Sequence, residues 1–417
     1  MSLDGKHACV SNRQWVLILC ADALMLCTSN LVFAYSSFKL DLKMQMSWDE
    51  PKLSIVWSFA NAGMNFMVHL GWLYDRYGAK VVGAASAFLK IVGLGGMMLL
   101  AAQRNDRPFL FGACFFLDAQ ATAWCITLGQ SEALRVSPTS RAGTAVSVAK
   151  TAFAIGPIVW TNAYQRFFSS RIADLFLCSG ILGSCLLVAF ISVISTAAVA
   201  QSSTKSTQKI LSLKEVFFSI DCVVLCGAVS VVTWGSALVW ISNVANFAVA
   251  AGYQASETIA IQSSFFAANM GARLAIGPLM DSLPLAKHVW VLLASVAMLG
   301  SSALMFVSGG AWLPVAAVLA GASFGADASM QPIMCRLICP DRQATLYAVS
   351  KLGGLISSTG FIWFAGFQAE RYAAGAANCV GSRCYQLMWT YMLVLGVPAV
   401  CVTAMWALRA RERAKAE

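Results

Sequence analysis

The sequence has little charge for its length. Asp, Glu, Lys and Arg make up 12% of the 417 residues, whereas soluble domains carry about 25%. Hydrophobic side chains make up 59%, and the mean hydropathy is +0.69. Because so few charges cannot cover a water-exposed surface, the composition excludes an ordinary soluble domain and indicates a protein that crosses a membrane several times.

The sequence also lacks the motifs of common catalytic and metal centres. It has no P-loop, no nucleophile elbow and no H-E-x-x-H pattern, so we expect no enzyme, no cofactor and no direct ATP drive. Its cysteines are mostly scattered through apolar stretches, where a thiol behaves as a small hydrophobe, and no metal-type Cys/His cluster is expected. One pair differs: NCVGSRC places Cys379 and Cys384 in a predicted outer loop, where a disulfide can form.

Long apolar runs recur along the whole chain. Each has about 20 residues, enough for a helix to cross a hydrocarbon layer of about 30 Å. We therefore predict an all-α integral membrane protein with twelve transmembrane helices. The predicted spans are 14–39, 52–73, 81–102, 109–131, 142–165, 174–198, 219–245, 257–280, 288–308, 312–334, 345–367 and 386–408.

The distribution of basic residues predicts the orientation. The N-terminal stretch MSLDGKHACVSNRQ is too polar for a cleaved signal, so we expect it to lead into an uncleaved first helix. If both termini are cytoplasmic, the inner segments carry most of the Lys and Arg outside the spans, as the positive-inside rule requires. This bias explains the net charge of +10 without a nucleic-acid partner. We expect a monomer in the lipid bilayer of the plasma membrane.

The longest polar interruption divides the predicted helices into six and six. It reads QSSTKSTQKILSLKE at 201–215 and predicts a cytoplasmic linker between an N-terminal half, 1–200, and a C-terminal half, 216–417. Internal similarity supports two related halves, because SFANAGMNFMVHLGWLYD (58–75) and SFFAANMGARLAIGPLMD (264–281) share Ser, Phe, Ala, Met, Gly, Leu and Asp at matching positions.

The stretch GWLYDRYGAK resembles the G-x-L-x-D-R-x-G-R-K loop of the major facilitator superfamily. Ala79 departs from that pattern, where the family usually has a basic residue; the matching residues are Gly71, Leu73, Asp75, Arg76, Gly78 and Lys80. The resemblance implies a fold of two pseudo-symmetric six-helix halves. It also implies a conformational latch, in which an acid, basic side chains and a helix terminus hold helix ends together. The expected latch residues are Gly71, Asp75, Arg76, Gly78, Lys80 and Asp281.

Several ionisable side chains fall inside the predicted spans. Each ionised group at mid-bilayer costs about 2.5–3.5 kcal/mol on insertion scales, so it must be paired or functional. Arg273 lies eight residues before Asp281, and Lys351 lies nine after Arg342, which puts both roughly 12–14 Å from the cytoplasmic face. The groups are Asp22, Lys90, Asp118, Lys150, Arg273, Asp327 and Lys351, with His69 as a further titratable residue.

The cations at this depth suit an anionic ligand. RAGTAVSVAK and RQATLYAVSK each end on a lysine nine residues after an arginine, so Lys150 is the repeat counterpart of Lys351. In a facilitator fold the helices with Lys150, Arg273 and Lys351 line the central cavity. The alternative is that each cation is a salt-bridged core residue. The C-terminal half offers only Asp327 at this depth for two cations, and the surplus positive charge favours an anionic substrate.

Small residues lie beside the cation pair of the C-terminal half. Short side chains allow helices to approach each other closely in a membrane. We therefore expect close helix contacts at Gly271, Ala272, Gly353 and Gly354.

Four residues are candidates for proton coupling: Asp327, Asp118, Asp22 and His69. Burial raises the proton affinity of a carboxylate, and histidine titrates near neutral pH. The competing interpretation is structural. In it, Asp327 and Asp118 neutralise the lysines at positions 351 and 90, and the histidine packs among apolar neighbours.

Three transporter groups share features of this sequence. NMGARLAIG resembles the D-x-x-x-R segment of proton-linked monocarboxylate transporters, with Arg273 at the substrate arginine and Asn269 where that family has a proton-binding aspartate. An amide carries no proton, so that coupling mechanism is not implied. Arg273 with Lys351 is similar to the cation pair of oxalate and formate antiporters. Over most of the chain the sequence resembles nodulin-like facilitators, through SRAGTAVSVAKTAFAIG, WISNVANFAVAAGY, ASFGADASMQP, LYAVSKLGG and NCVGSRC.

These features predict a secondary transporter of small monocarboxylates such as pyruvate or lactate, proton-coupled or facilitative, that works by alternating access. Nodulin-like facilitators include carriers implicated in pyruvate export and in iron handling, so a carrier of iron or a metal–organic acid complex is an alternative. A membrane receptor or scaffold without transport is another. The expected substrate-binding residues are Arg273, Lys351, Lys150, Asn269 and Tyr347.

Overall fold

The computed structural model describes residues 12–48, 50–199, 214–215, 218–373 and 379–416. Across these residues the chain is helical and contains no strand. It divides into two compact units. The N-terminal unit comprises Ser2–Ile210 with Asp341–Ala348, and the C-terminal unit comprises Leu211–Pro340 with Val349–Glu417. Most of the predicted linker, up to residue 213, lies outside the described residues.

Among the described residues, seven α-helices precede the linker. Short 3₁₀ turns at Leu31–Ala34 and Thr139–Arg141 and a π-helical end at Tyr164–Phe168 connect or extend them. The helices are α1 (Asn12–Thr28), α2 (Tyr35–Met46), α3 (Glu50–Asn65), α4 (Val68–Ala102), α5 (Pro108–Val136), α6 (Ala142–Ala163) and α7 (Ile172–Val199).

Seven more α-helices lie between residue 218 and the end of the described chain. The first is a single turn that continues as a π-helix over Val224–Gly235. Helix α13 begins with residues that belong to the N-terminal unit and continues in the C-terminal unit. The helices are α8 (Ile220–Val223), α9 (Ser236–Ala250), α10 (Ala255–Ser282), α11 (Lys287–Ser308), α12 (Leu313–Ile338), α13 (Gln343–Ala373) and α14 (Gln386–Ala416).

The predicted spans lie in helices, with interruptions at Ser29–Asn30 and Phe66–Met67. Among the described helices, eight are long and apolar enough to cross a membrane. Helix α1 is too short to meet that criterion, with 17 residues before the helix is interrupted. Helices α10 and α13 also fall below it, because polar side chains interrupt their apolar runs. The all-α, multi-pass membrane fold predicted from the sequence is confirmed.

The break after α1 is stabilised by side chains from three other helices. A helix end inside a membrane exposes carbonyl groups that need donors. The Ser29 carbonyl accepts hydrogen bonds from Lys90 Nζ at 2.9 Å and from Thr122 Oγ1 at 2.6 Å. The Thr28 carbonyl accepts one from Trp160 Nε1 at 3.0 Å. No sequence signal indicated this break, because its donors are distant along the chain.

The loop before α14 contains a disulfide between Cys379 and Cys384, with Cα atoms 5.9 Å apart. Cys384 is fully buried. The Gly381 N–H donates to the Ala250 carbonyl at 2.8 Å, which attaches the loop to the end of α9.

Without reductant, we expect a maleimide to label neither Cys379 nor Cys384, because a disulfide has no nucleophilic thiolate. After reduction in denaturant, which also opens the buried site of Cys384, both loop cysteines should take the label. Peptide mass mapping of oxidised and reduced protein measures this. Equal labelling of the loop cysteines before and after reduction would contradict the pairing.

Candidate substrate site and helix-end latch

Arg273 lies on α10 and is 6% exposed. Its Nε donates a hydrogen bond at 2.8 Å to Oδ1 of Asn269, one turn earlier on the same helix. Its guanidinium carbon lies 5.2 Å from the centre of the Phe324 ring. A helical neighbour and an aromatic face therefore orient the guanidinium, which can bind a carboxylate through two parallel hydrogen bonds.

Lys351 lies on α13 and is 1% exposed. Its ammonium nitrogen is 3.5 Å from the centre of the Trp234 ring, a cation–π contact in a buried setting. Attraction to Asp327 and repulsion from Arg273 are the main electrostatic interactions of this lysine with charged side chains. Two buried cations and one carboxylate thus share one region of the C-terminal unit.

Two glycines allow the close approach of α13 to the segment that carries Trp234. A Cβ atom at Gly353 would overlap the Cys226 carbonyl oxygen, and one at Gly354 would overlap the indole ring of Trp234. The expectation that these glycines permit helix contact is therefore supported. At Gly271, which we also expected at such a contact, a Cβ atom would meet no heavy atom of the described residues within 4 Å, so that part of the prediction is wrong.

Lys150 and Tyr347 form a second polar contact, which belongs to the N-terminal unit. Lys150 is 4% exposed, and its Nζ donates to the Tyr347 hydroxyl at 3.1 Å. The same ammonium lies 5.0 Å from the centre of the tyrosine ring. Asp22 is fully buried, and its carboxylate interacts electrostatically with Lys150 and with Glu132. Around Asp22 the structure thus combines one lysine with two acids, Asp22 itself and Glu132.

Two of the proton-coupling candidates, Asp118 and His69, make contacts that hold helices together. Asp118 Oδ1 lies 2.7 Å from Lys90 Nζ, and both side chains are fully buried, which is the ion pair that the sequence predicts as the alternative role. His69 packs against Phe66 and Trp124, with ring centres 5.3 and 6.0 Å away. These contacts favour the structural interpretation for Asp118 and His69.

Asp75 caps the start of α13. It accepts hydrogen bonds from the Ala344 N–H at 3.3 Å, the Thr345 N–H at 2.8 Å and the Thr345 hydroxyl at 2.5 Å. The first N–H groups of a helix have no partner within the helix, and a carboxylate there also interacts favourably with the helix dipole. Gly71 permits this approach, because a Cβ there would overlap the Ala344 carbonyl oxygen.

The other expected latch residues have different surroundings. Arg76 lies over the rings of Trp72 and Tyr77, at 5.2 and 5.4 Å. Gly78 has a φ of 75°, a conformation that favours glycine, and it turns the chain between two helical runs of α4. Lys80 is exposed on this turn. Asp281 lies at the end of α10, in the C-terminal unit, whereas the Asp75 contact lies within the N-terminal unit.

Some residues of these centres were missed by the sequence analysis. Glu132, on α5, is 2% exposed and accepts a hydrogen bond from the Tyr74 hydroxyl at 2.6 Å. It also forms an ion pair with Arg135 at 2.6 Å. The i, i+3 spacing of this acid and arginine was a usable signal. No sequence signal indicated Trp234 or Phe324 as the aromatic partners of the two cations.

Replacing Asp75 with alanine should lower the free energy of unfolding by about 1.5–3 kcal/mol, because charged hydrogen bonds are lost and N–H groups of α13 are left without an acceptor. Asp75→Asn should cost less, since it retains one acceptor oxygen. Denaturation of the purified variants in detergent measures the effect. Arg409→Ala, which removes an exposed side chain outside the expected latch, is the control, and an Asp75→Ala variant as stable as this control would rule out the capping role.

Comparison with known proteins supports the fold. A family model, the Major Facilitator Superfamily, matches residues 4–161. No curated protein sequence matches the chain. The E. coli fucose:proton symporter FucP is similar in structure, with a TM-score of 0.58 and 14% identity over 93% of this chain and 99% of that one.

Two other solved structures are similar in the same way. The proton:xylose symporter XylE gives a TM-score of 0.66 with 11% identity, covering 95% of each chain. A bacterial homologue of the iron transporter ferroportin gives 0.67 with 14% identity, covering 95% of this chain and 99% of that one. At these identities the similarity shows the fold alone, and the chain has the major facilitator fold.

Proposed function

We propose that this protein is a secondary transporter of small anions, with monocarboxylates such as pyruvate and lactate as its substrate class. The observation that carries the proposal is the buried group of Arg273 and Lys351 with one carboxylate, Asp327. Net positive charge inside a membrane protein is costly, and an anionic substrate at this place offsets it. The fold, which the matched symporters share, supports transport by alternating access.

The two cations have different roles in the proposed site. Arg273 presents a planar fork that matches the two oxygens of a carboxylate, whereas Lys351 acts as a point charge that can change direction. Phe324 and Trp234 supply aromatic faces beside these charges. A short organic acid matches such a site, because its carboxylate can bind the cations and its small, weakly polar body can contact the aromatic faces.

Asn269 positions the arginine without offsetting its charge. Its amide oxygen holds Arg273 Nε in place at 2.8 Å without adding a negative charge. An aspartate at this position would neutralise the guanidinium one turn away. We infer that the amide holds Arg273 in place for the substrate, and that proton coupling uses another group because an amide does not titrate.

Among the acids, Asp327 is the proton carrier we propose. It is fully buried and interacts electrostatically with Lys351, so its protonation would change the charge of the site directly. Asp118 is already in an ion pair with Lys90. Lys150 with Tyr347 is proposed as a second anion contact, in the N-terminal unit. We propose a monomer of the plasma membrane with both termini cytoplasmic.

Uptake of radiolabelled pyruvate into proteoliposomes tests the function. We expect saturable uptake, competition by lactate and other monocarboxylates but not by sugars, and acceleration by an inwardly directed proton gradient if Asp327 carries a proton. Liposomes without protein give the background. Failure to take up any member of a carboxylate panel at two pH values would overturn the substrate class, and uptake of iron only as a complex would favour a metal carrier.

A further inference from the structure

A separate cavity of about 400 Å³ lies at one end of the C-terminal unit, where α11, α13 and α14 end or begin. Its charged wall is formed by Arg371 and Arg383, and its apolar wall includes Phe306 and Leu387. This cavity is distinct from the buried Arg273 centre and plays no part in the proposed transport site. By the predicted topology it lies at the outer surface of the membrane.

The two arginines offer positive charge to a ligand. Both are exposed, and neither forms an ion pair with any residue in the described part of the chain. Guanidinium groups bind phosphate oxygens in a bidentate way and are weakly hydrated. Two such groups at the wall of one cavity are suited to a phosphate.

The backbone around Arg383 is firmly held. The buried side chain of Gln368 donates to the Arg383 carbonyl at 2.8 Å and accepts from the Met388 N–H at 3.2 Å. The next residue, Cys384, is fixed by its disulfide. Arg371 lies three residues after Gln368 on α13 and therefore on the same side of that helix. The arginines are thus attached to a rigid frame.

An exposed apolar stripe continues from the cavity along α14. It has the i, i+4, i+7, i+8 spacing of one helix face, and this helix is apolar enough to span a membrane. Such a face contacts acyl chains in a bilayer. A soluble anion would use only the arginines, whereas a phospholipid would use both the charged wall and the stripe. The stripe consists of Leu387, Tyr391, Val394 and Leu395.

We propose that Arg371 and Arg383 bind the phosphate headgroup of an anionic phospholipid, whose acyl chains lie along the stripe on α14. The bound lipid would connect the end of α13 to the start of α14 through its headgroup. It would therefore stabilise the C-terminal unit and make stability depend on the charge of the surrounding lipid.

Native mass spectrometry and thermal melting of delipidated protein test the site with phosphatidylglycerol and phosphatidylcholine. We expect phosphatidylglycerol to remain bound and to raise the melting temperature, with a much smaller effect of phosphatidylcholine. Arg371→Ala/Arg383→Ala should weaken phosphatidylglycerol binding about tenfold or more. Arg371→Gln/Arg383→Gln should weaken phosphatidylglycerol binding to the same extent. This variant replaces the alanine variant in the test if the alanine variant folds poorly.

Arg107→Ala/Arg166→Ala is the matched control. It removes two exposed arginines from predicted outer segments of the N-terminal unit and should leave lipid binding unchanged. Equal phosphatidylglycerol binding by the cavity variant and this control would overturn the proposal, as would equal effects of the two lipids. Glycerol 3-phosphate distinguishes a lipid ligand from a soluble one. If this soluble headgroup stabilised the protein as strongly as phosphatidylglycerol does, the cavity would be assigned to a soluble anion instead.

Discussion

Replacing Arg273 with alanine is expected to reduce pyruvate uptake about 100-fold. Truncating one partner of a buried, hydrogen-bonded charge pair costs about 2–5 kcal/mol, and each 1.4 kcal/mol is a factor of ten. The loss should be large because the guanidinium is 6% exposed and already positioned by Asn269. Initial rates of radiolabelled pyruvate uptake into proteoliposomes, over a range of concentrations, measure it.

Two variants separate charge from geometry. Arg273→Lys keeps the charge but loses the planar fork, so its uptake should fall between wild type and alanine. Arg409→Ala removes an exposed arginine near the end of α14 and should transport like wild type. If Arg273→Ala and Arg409→Ala transported at the same rate, Arg273 would have no role in substrate binding.

Replacing Lys90 with alanine is expected to have the largest effect on stability. Its ammonium is fully buried, 2.7 Å from Asp118 Oδ1, and also donates to the Ser29 carbonyl at the break after α1. Removing one partner of a buried pair leaves an uncompensated charge and costs about 3–5 kcal/mol. Denaturant unfolding of the purified variant in detergent, followed by tryptophan fluorescence, measures the free energy.

The controls distinguish an unpaired charge from lost packing. Lys90→Met/Asp118→Leu removes both charges and should be much more stable than Lys90→Ala, because no isolated carboxylate remains. Lys52→Ala breaks the exposed pair with Asp106 and should cost about 1 kcal/mol or less. A Lys90→Ala variant that unfolds like Lys52→Ala would show that the buried pair does not stabilise the break.

The sequence predicted the features that depend on residue type and spacing. Hydropathy located the helices, and the cost of burying a charge led to the pairing of Lys90 with Asp118. The resemblance of GWLYDRYGAK to the major facilitator loop implied an acid at a helix terminus, and the Asp75 carboxylate lies at the start of α13. Arg273 and Lys351 were predicted to lie at one depth because they are eight and nine residues, respectively, from a helix end marked by a charged residue.

What the sequence could not predict depends on contacts between distant helices. The break at Ser29 is possible only because Lys90 and Thr122 supply donors from other helices. The aromatic faces beside Arg273 and Lys351 belong to residues that look like ordinary apolar positions in a membrane span. Gly271 was assigned to a contact from its small size, yet size alone does not determine which side of a helix meets a neighbour.

We propose that the group of two buried cations with one carboxylate, Arg273, Lys351 and Asp327, selects an anion, and Asn269→Asp tests this most directly. The introduced carboxylate would lie one turn from the guanidinium and neutralise it, whereas Asn269→Leu removes the hydrogen bond without adding charge. Equilibrium binding of radiolabelled pyruvate to purified protein at neutral pH should fall at least tenfold in Asn269→Asp and much less in Asn269→Leu. Binding by Asn269→Asp equal to that of wild type would contradict an anion site at Arg273.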